Sequence, residues 1–261
     1  MEVHAHSHTE RKKWTHYFWE FLMLFLAVFC GFFAEYRLEH TIEHQREKEY
    51  ARELYNELRA DSIAVADKIS LRLQKENDMD YLVHYLKDSS LTSLPREFYP
   101  AYTTVMYLAN TYHFEPKDGI LSQLKSSGSL RYFKSSALQK LFGDISVCIS
   151  NVRYRNEQEY QFFASPIKPF MIKHYDFNWI NELRKQDKNA TAINLIRHYR
   201  QSNTTVHAGI LNLSSFDRSE TSNIIAFYKQ MLVSTRTLQL NEYIEANRKL
   251  LHELRKNYKL R

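Results

Sequence analysis

Glycine and proline are scarce in this chain, with five of each among 261 residues. Tight hairpins draw on Gly for positive φ and on both residues for reversal, so their scarcity argues against a β-rich architecture. Cysteine is nearly missing as well. Cys30 lies in an apolar run and Cys148 in a distant helical stretch. That pattern excludes a disulfide framework and leaves the redox compartment open. The sequence has no Gly-rich phosphate loop, G-x-S-x-G elbow, C-x-x-C pair or dinucleotide fingerprint, so it points to no enzyme class and no cofactor. A dense basic patch is lacking too. The net charge is +6, but it is spread thinly, unlike that of a nucleic-acid-binding domain. Cations interleave with aromatics in "RYFKSS" and "NVRYRNEQEYQFF". This reads as amphipathic helix packing rather than RNA contact.

What fills the chain is Leu, Glu, Lys, Arg, Ala and Gln, in long stretches between turn signals. Eighteen Tyr and sixteen Phe supply apolar area for a helical core. The expected fold is all-α. One N-terminal transmembrane helix continues into a stalk helix, and an extramembrane antiparallel helical bundle follows.

The long apolar run is "WEFLMLFLAVFCGFFAEY". Its uninterrupted core, residues 21–34, is short for a span, and the flanks extend it. Trp14, Tyr17, Phe18 and Trp19 form an aromatic girdle on one side, and Tyr36 closes the other. Residues 14–36 then reach about 34 Å as a helix, enough to cross the hydrocarbon. A cleaved signal peptide needs small residues before the cut, whereas Phe32, Phe33 and Ala34 stand there; Phe29 before Cys30 spoils a lipoprotein site. An uncleaved anchor is expected. Arg11, Lys12 and Lys13 precede the span, while Arg37 sits among Glu35, Glu39 and Glu43 on the far side. The positive-inside rule therefore places residues 1–13, a His-rich tail, in the cytoplasm and residues 37–261 outside. A tail this short leaves no room for the output domain of a one-component transducer.

Glu20 opens the span. On a helix it shares one face with Leu24, Ala27, Gly31 and Ala34, and Ala27-x-x-x-Gly31 is a small-xxx-small pair that admits a second helix. Three roles are open to Glu20: an interfacial carboxylate reaching water or His16, a helix-pairing group, or an ion-coupling group. The layout of short tail, acidic span and outside domain is shared, in topology only, with ion-driven stator subunits.

Beyond the span, residues 35–76 contain no Gly or Pro, and Ala51, Tyr55, Leu58, Val65 and Ile69 recur at helical spacings. Turn-rich breaks are expected at residues 87–100 and 113–119. Asp118 is placed to cap a short helix, "GILSQLK", ended by "SSGS". A long helix is expected over residues 136–163, closed by Pro166 and Pro169, and shorter ones over 178–185 and 192–201. A terminal helix spans residues 219–258, with a stripe of Ile224, Phe227, Met231, Leu238, Leu250, Leu254 and Tyr258. This helix is expected to run antiparallel beside the stalk, with its cations (Arg248, Lys249, Arg255, Lys256, Lys259, Arg261) returning toward Glu39, Glu43 and Glu47 and toward lipid phosphates.

The segments "MEVHAHSH" and "RKKWTHYFWEFLMLFLAVFCGFFAEYRLEH" resemble a widespread group of single-span Bacteroidota proteins of uncharacterised role. "ILSQLKSSGSLRYFKSSALQKLF", residues 120–142, is similar to a recurring part of their helical regions. The resemblance implies a bacterial inner-membrane protein with a helical periplasmic part, and it transfers no catalytic residue.

Two histidine patterns invite metal chemistry. "HTIEH" matches H-x-x-E-H, with His40 and His44 one turn apart and Glu43 as the base. It sits in a charged stalk without an identifiable third ligand. "HAHSH" offers His4, His6 and His8 for chelation. Sequons at Asn189, Asn203 and Asn212 matter only in a eukaryotic secretory pathway. The reading expected first is a membrane-anchored interaction or scaffold module, not an enzyme. Its partners are membrane lipid and either a second copy or a multi-span protein met through the span. Second comes an ion-coupled or channel-associated subunit using Glu20, and third a metal-dependent hydrolase at His40 and His44.

Overall fold

The computed structural model describes residues 14–260. Those residues are all-α, with no strand among them. The helices are α1 (Trp14–Asp88), α2 (Phe98–Met106), α3 (Gly119–Ser126), α4 (Ser136–Phe162), α5 (Lys168–His174), α6 (Asn178–Gln186), α7 (Ala192–Gln201), α8 (Arg218–Ser234) and α9 (Asn241–Tyr258). The chain divides into two units, Met1–Tyr50 and Ala51–Arg261, and α1 contributes residues to both.

In the second unit, α1 turns one stripe inward: Leu54, Leu58, Asp61, Val65, Arg72, Lys75, Met79, Leu82 and Leu86 are all buried. Apart from the seven between Val65 and Arg72, these are alternate steps of three and four, the two-position seam of a heptad. Met79, Leu82 and Leu86 carry the seam past residue 76, so the helix runs to Asp88 rather than stopping where the sequence pattern faded. The partner on this seam is the α8–α9 segment, running the opposite way. Arg218 Nη1 donates to Ser89 O at 2.8 Å, Arg236 Nε to Glu76 at 2.8 Å, Tyr243 Oη to Asp61 at 2.6 Å and Arg255 Nη2 to Tyr55 Oη at 2.6 Å. The antiparallel pairing is therefore present. Two of its cations pair on their own helix, Arg248 with Glu245 and Lys256 with Glu253, at 2.7 and 3.9 Å, and Arg261 lies outside the described residues.

The buried stripe of α8 differs from the expected one. Thr221, Ile225, Tyr228 and Leu232 face inward, followed by Thr235, whereas Phe227 and Leu238 stay half exposed. Large apolar residues drew the sequence reading one position away, because the true seam passes through two threonines. A π-turn over Thr235–Leu240 also inserts a residue and shifts the phase into α9.

A second π-turn, Phe163–Ile167, corrects the expectation that Pro166 and Pro169 end the fourth helix. The wide turn absorbs the missing N–H of Pro166, and α5 follows directly, with Pro169 in its first turn. Asp118 holds the N-cap position of α3 without capping through its side chain. Its carboxylate instead accepts from Arg153 at 2.9 and 3.0 Å. Gly128, at φ +69°, does end α3 as "SSGS" suggested, in the left-handed conformation glycine favours.

α2 occupies part of the segment read as a turn. Each of its residues, Phe98 to Met106, is buried, and Pro100 falls in the first turn, where no intrahelical N–H is needed. Around it gathers an aromatic core. Tyr99 lies 5.6 Å from Trp179, Tyr102 5.6 Å from Tyr175, and Trp179 5.2 Å from Tyr199. This cluster ties α2 to α6 and α7.

Candidate functional site

In the first unit, α1 is long and apolar enough near the N-terminus to cross a membrane. Phe21, Phe25 and Phe29 stack along one side at 6.2 and 6.0 Å. Glu20 Oε1 stands 3.4 Å from His16 Nδ1, both side chains about half exposed (48 and 50 %). Ala27 and Gly31 are exposed, and a Cβ added at Gly31 would meet nothing within 4 Å. Ala27 and Gly31, on the face named for helix pairing, are thus open among the described residues.

At the HTIEH stretch, the His40 ring packs edge-on to Tyr36 at 6.3 Å, and His44 Nδ1 meets Glu47 Oε2 at 3.1 Å. Among the described residues no three or more His, Cys, Asp or Glu side chains gather where a metal ion would bind. His40 and His44 therefore have no third ligand there. His4, His6 and His8 lie outside the described residues.

The polar feature that the sequence reading missed lies inside the second unit, on the α1 seam. Arg72, Lys75 and Glu159 are almost completely buried. Arg72 grips both oxygens of Glu159 at 3.0 and 2.9 Å and donates from Nε to Tyr112 O at 2.9 Å. Thr235 Oγ1 adds a 2.6 Å bond to the same carboxylate, and His113 Nε2 lies 3.4 Å away. Burial pushes Glu159 up, but the His113 ring and the Arg72 guanidinium outweigh it and hold the carboxyl down at about 2. Lys75 Nζ donates to Leu108 O at 2.9 Å and sits 4.5 and 4.6 Å over the Tyr112 and Tyr228 rings. Burial lowers its pKa to about 7, against the attraction of Glu159.

These charges have a common task. Residues 107–118 pass through the bundle with little regular structure, and a buried carbonyl without a donor is costly. Lys75 serves Leu108 O, Lys68 serves Thr111 O at 2.6 Å, Arg72 serves Tyr112 O and Asn156 serves Phe114 O at 2.8 Å. On the other side, Asp61 accepts from the Lys117 amide at 2.8 Å. The charges of the cluster are paired from within, as a structural clamp on that segment, while Asn156 Oδ1 and His113 Nε2 are buried without a hydrogen bond. A sequence signal was available: in the heptad series Leu58, Val65, Arg72, Met79, Leu86 a charge stands at a core position, as do Asp61 and Lys75 in the companion series.

Two concavities border this interior. One, of about 630 Å³, lies between α1 and α9, with a floor of Val65, Ala66, Ile69, Ile244 and Leu251 and a rim that includes Arg248, His252 and Arg255. The other, of about 440 Å³, is polar and is lined by residues of α1, α2 and α7 together with Tyr112. No family model, no curated protein and no solved structure matches this chain.

Proposed function

We propose that this chain is a single-pass, membrane-anchored helical interaction module of a bacterial inner membrane. In this reading residues 14–36 are the span, the N-terminus is cytoplasmic and residues 37–261 are periplasmic. The observation that carries it is the apolar window of α1, none of which is buried within the chain. A soluble protein would have covered such a face, because that much exposed apolar area is costly in water. Fusing a reporter that works only outside the cytoplasm at Arg261 tests the topology. Activity there supports it, and activity solely from a cytoplasmic reporter at the same position overturns it.

The interaction half of the reading rests on the α1–α9 groove. Its apolar floor suits the apolar face of a helix, and its rim carries Arg255, bonded to a neutral tyrosine, and Arg248, paired outside the groove with Glu245. The occupant it fits is an amphipathic helix with an acidic polar face, supplied by a partner protein. A labelled peptide of that design should bind the full chain at least about tenfold tighter than its lysine counterpart. Arg248→Glu with Arg255→Glu should reverse the order; an unchanged order would remove the groove from the proposal. Glu20, beside His16, fits the interfacial role in this scheme, and the open Ala27/Gly31 face is where two spans would pair.

A further inference from the structure

Residues 203–210, between α7 and α8, run without helix, turn or bend, and Ser202 before them is already extended at φ −91° and ψ 170°. Their exposure alternates with a period of two. Thr204, Val206 and Ala208 are half-buried and Ile210 is buried, whereas Asn203, Thr205, His207 and Gly209 are exposed. That is the pattern of a strand with one covered face, and Val206, Ala208 and Ile210 pack on the core. The ends of the segment are tied down. Arg96 Nη2 donates to Ser202 O at 2.6 Å and its Nε to Thr204 O at 3.3 Å, Tyr99 Oη donates to Gly209 O at 2.6 Å, and Leu211 N donates to His174 O at 3.0 Å. Between these ties the backbone N–H and C=O groups of residues 205–208 have no hydrogen-bond partner among the described residues. Successive residues of an extended chain turn those groups to opposite edges. Ser202 and Thr204 turn theirs toward Arg96, so Thr205 and His207 present theirs on the other edge. Proteins guard an unpaired edge with charge or proline. Residues 201–216 contain no Asp, Glu, Lys, Arg or Pro, in a chain that is 25% charged.

We infer that this edge pairs with the same edge of a second copy, antiparallel about a two-fold axis at Val206. Thr205 of one copy then lies opposite His207 of the other, and each such pair exchanges two N–H···O bonds. The symmetry makes the edge its own complement, since every donor that one copy offers meets an acceptor on the other. Residues directly opposite share a face, so Val206 and Ala208 of both strands stay turned toward their own cores. Gly209 O, already held by Tyr99, confines the ladder to these central residues. The lack of charge favours this occupant over others. A charged segment laid against its own copy sets like charges opposite one another, and here there are none to oppose. So short a ladder is weak, with a Kd of about 0.1 mM. The contact belongs to the second unit alone and depends neither on the topology proposed above nor on the α1–α9 groove.

Hydrogen exchange followed by mass spectrometry tests the pairing on the full chain in detergent micelles, at about 5 µM and about 500 µM protein. In the dilute sample the amides of residues 205–207 should exchange as in an unstructured chain, and in the concentrated one they should slow about threefold. Pairing of the spans alone leaves these amides exchanging freely, so it does not imitate the result. Thr205→Pro removes a donor that the ladder uses twice and should abolish the slowing at His207, whereas Thr205→Ala should keep it. Where the proline disturbs the fold, Thr205→Lys with His207→Lys, both exposed changes, sets like charges opposite one another and should abolish the slowing as well. Slowing at either concentration that the lysine pair removes supports the assignment. Free exchange at both concentrations, or slowing that survives the lysine pair, overturns it.

Discussion

Residues 14–50 and 51–260 use side chains in opposite ways. In the first stretch the large apolar residues are the exposed ones, such as Leu24 and Phe32, each 69 % accessible, and no carboxylate is buried. In the second, most leucines and tyrosines are covered, and a full ion pair with a lysine beside it is buried among them. Under the proposed anchor, the contrast reads as two solvents. An apolar surface left open calls for lipid, whereas a charge taken inside calls for partners at each of its polar atoms.

The sharpest way to break that contrast is to remove one buried charge. Glu159→Leu leaves Arg72 uncompensated and should cost about 3–5 kcal/mol in urea unfolding followed by the Trp179 fluorescence. Arg72→Met in the same background should recover part of it, since the unpaired cation is gone; a double variant as unstable as the single would mean that the pair is not what Glu159 supports. Next in size is a matched pair of leucines. Leu250→Ala, at a fully buried site, should cost about 2–5 kcal/mol, while Leu24→Ala should leave the unfolding midpoint unchanged.

A smaller effect separates the regions by pH. Lys75 is held near 7 by burial, below its unfolded value, so from pH 7 upward the unfolded chain binds more protons than the folded one. Stability should therefore rise with pH between about pH 7 and pH 9, with a slope of up to about 1.4 kcal/mol per pH unit from this group. Below that window the full cost of burying the cation is present. Glu159 and Asp78 favour the charged form and Arg72 opposes it, so the slope is set by burial against this trio. Lys75→Met should flatten the profile; an unaltered slope would assign it elsewhere.

The smallest expected change is Glu20→Gln. With the carboxylate half exposed beside His16, expression, membrane insertion and partner crosslinking should all be preserved. Loss of a crosslinked multi-span partner in this variant alone would instead favour the ion-coupled role of Glu20.

Much of the architecture was legible because helices announce themselves locally. The absence of Gly and Pro over residues 35–76 and the apolar spacing of Ala51, Tyr55, Leu58 and Val65 are properties of neighbouring residues on one helix. α6 and α7 begin where the sequence placed them, at Asn178 and Ala192. α2 was hidden because a helix buried all round has no polar face to give it a period, and Pro100 marked it as a turn. The continuation through Pro166 was hidden for a related reason, since a π-turn depends on packing on both sides rather than on a residue type.

Sequence by itself determined the all-α class, an apolar segment of spanning length at the N-terminus, and the antiparallel return of the last helix. The first two follow from composition and periodicity, which act over a few turns; the third was read from charge, and the contacts that carry it are other than the ion pairs expected. Only the tertiary structure decided which charges are inside. Arg72 and Lys75 look like solvated stalk residues until residues 107–118, carrying carbonyls that need donors, are laid against them. It alone also set Asp78 against Arg200, 122 positions further along the chain. Such pairings join residues far apart in the chain, and no local pattern encodes them.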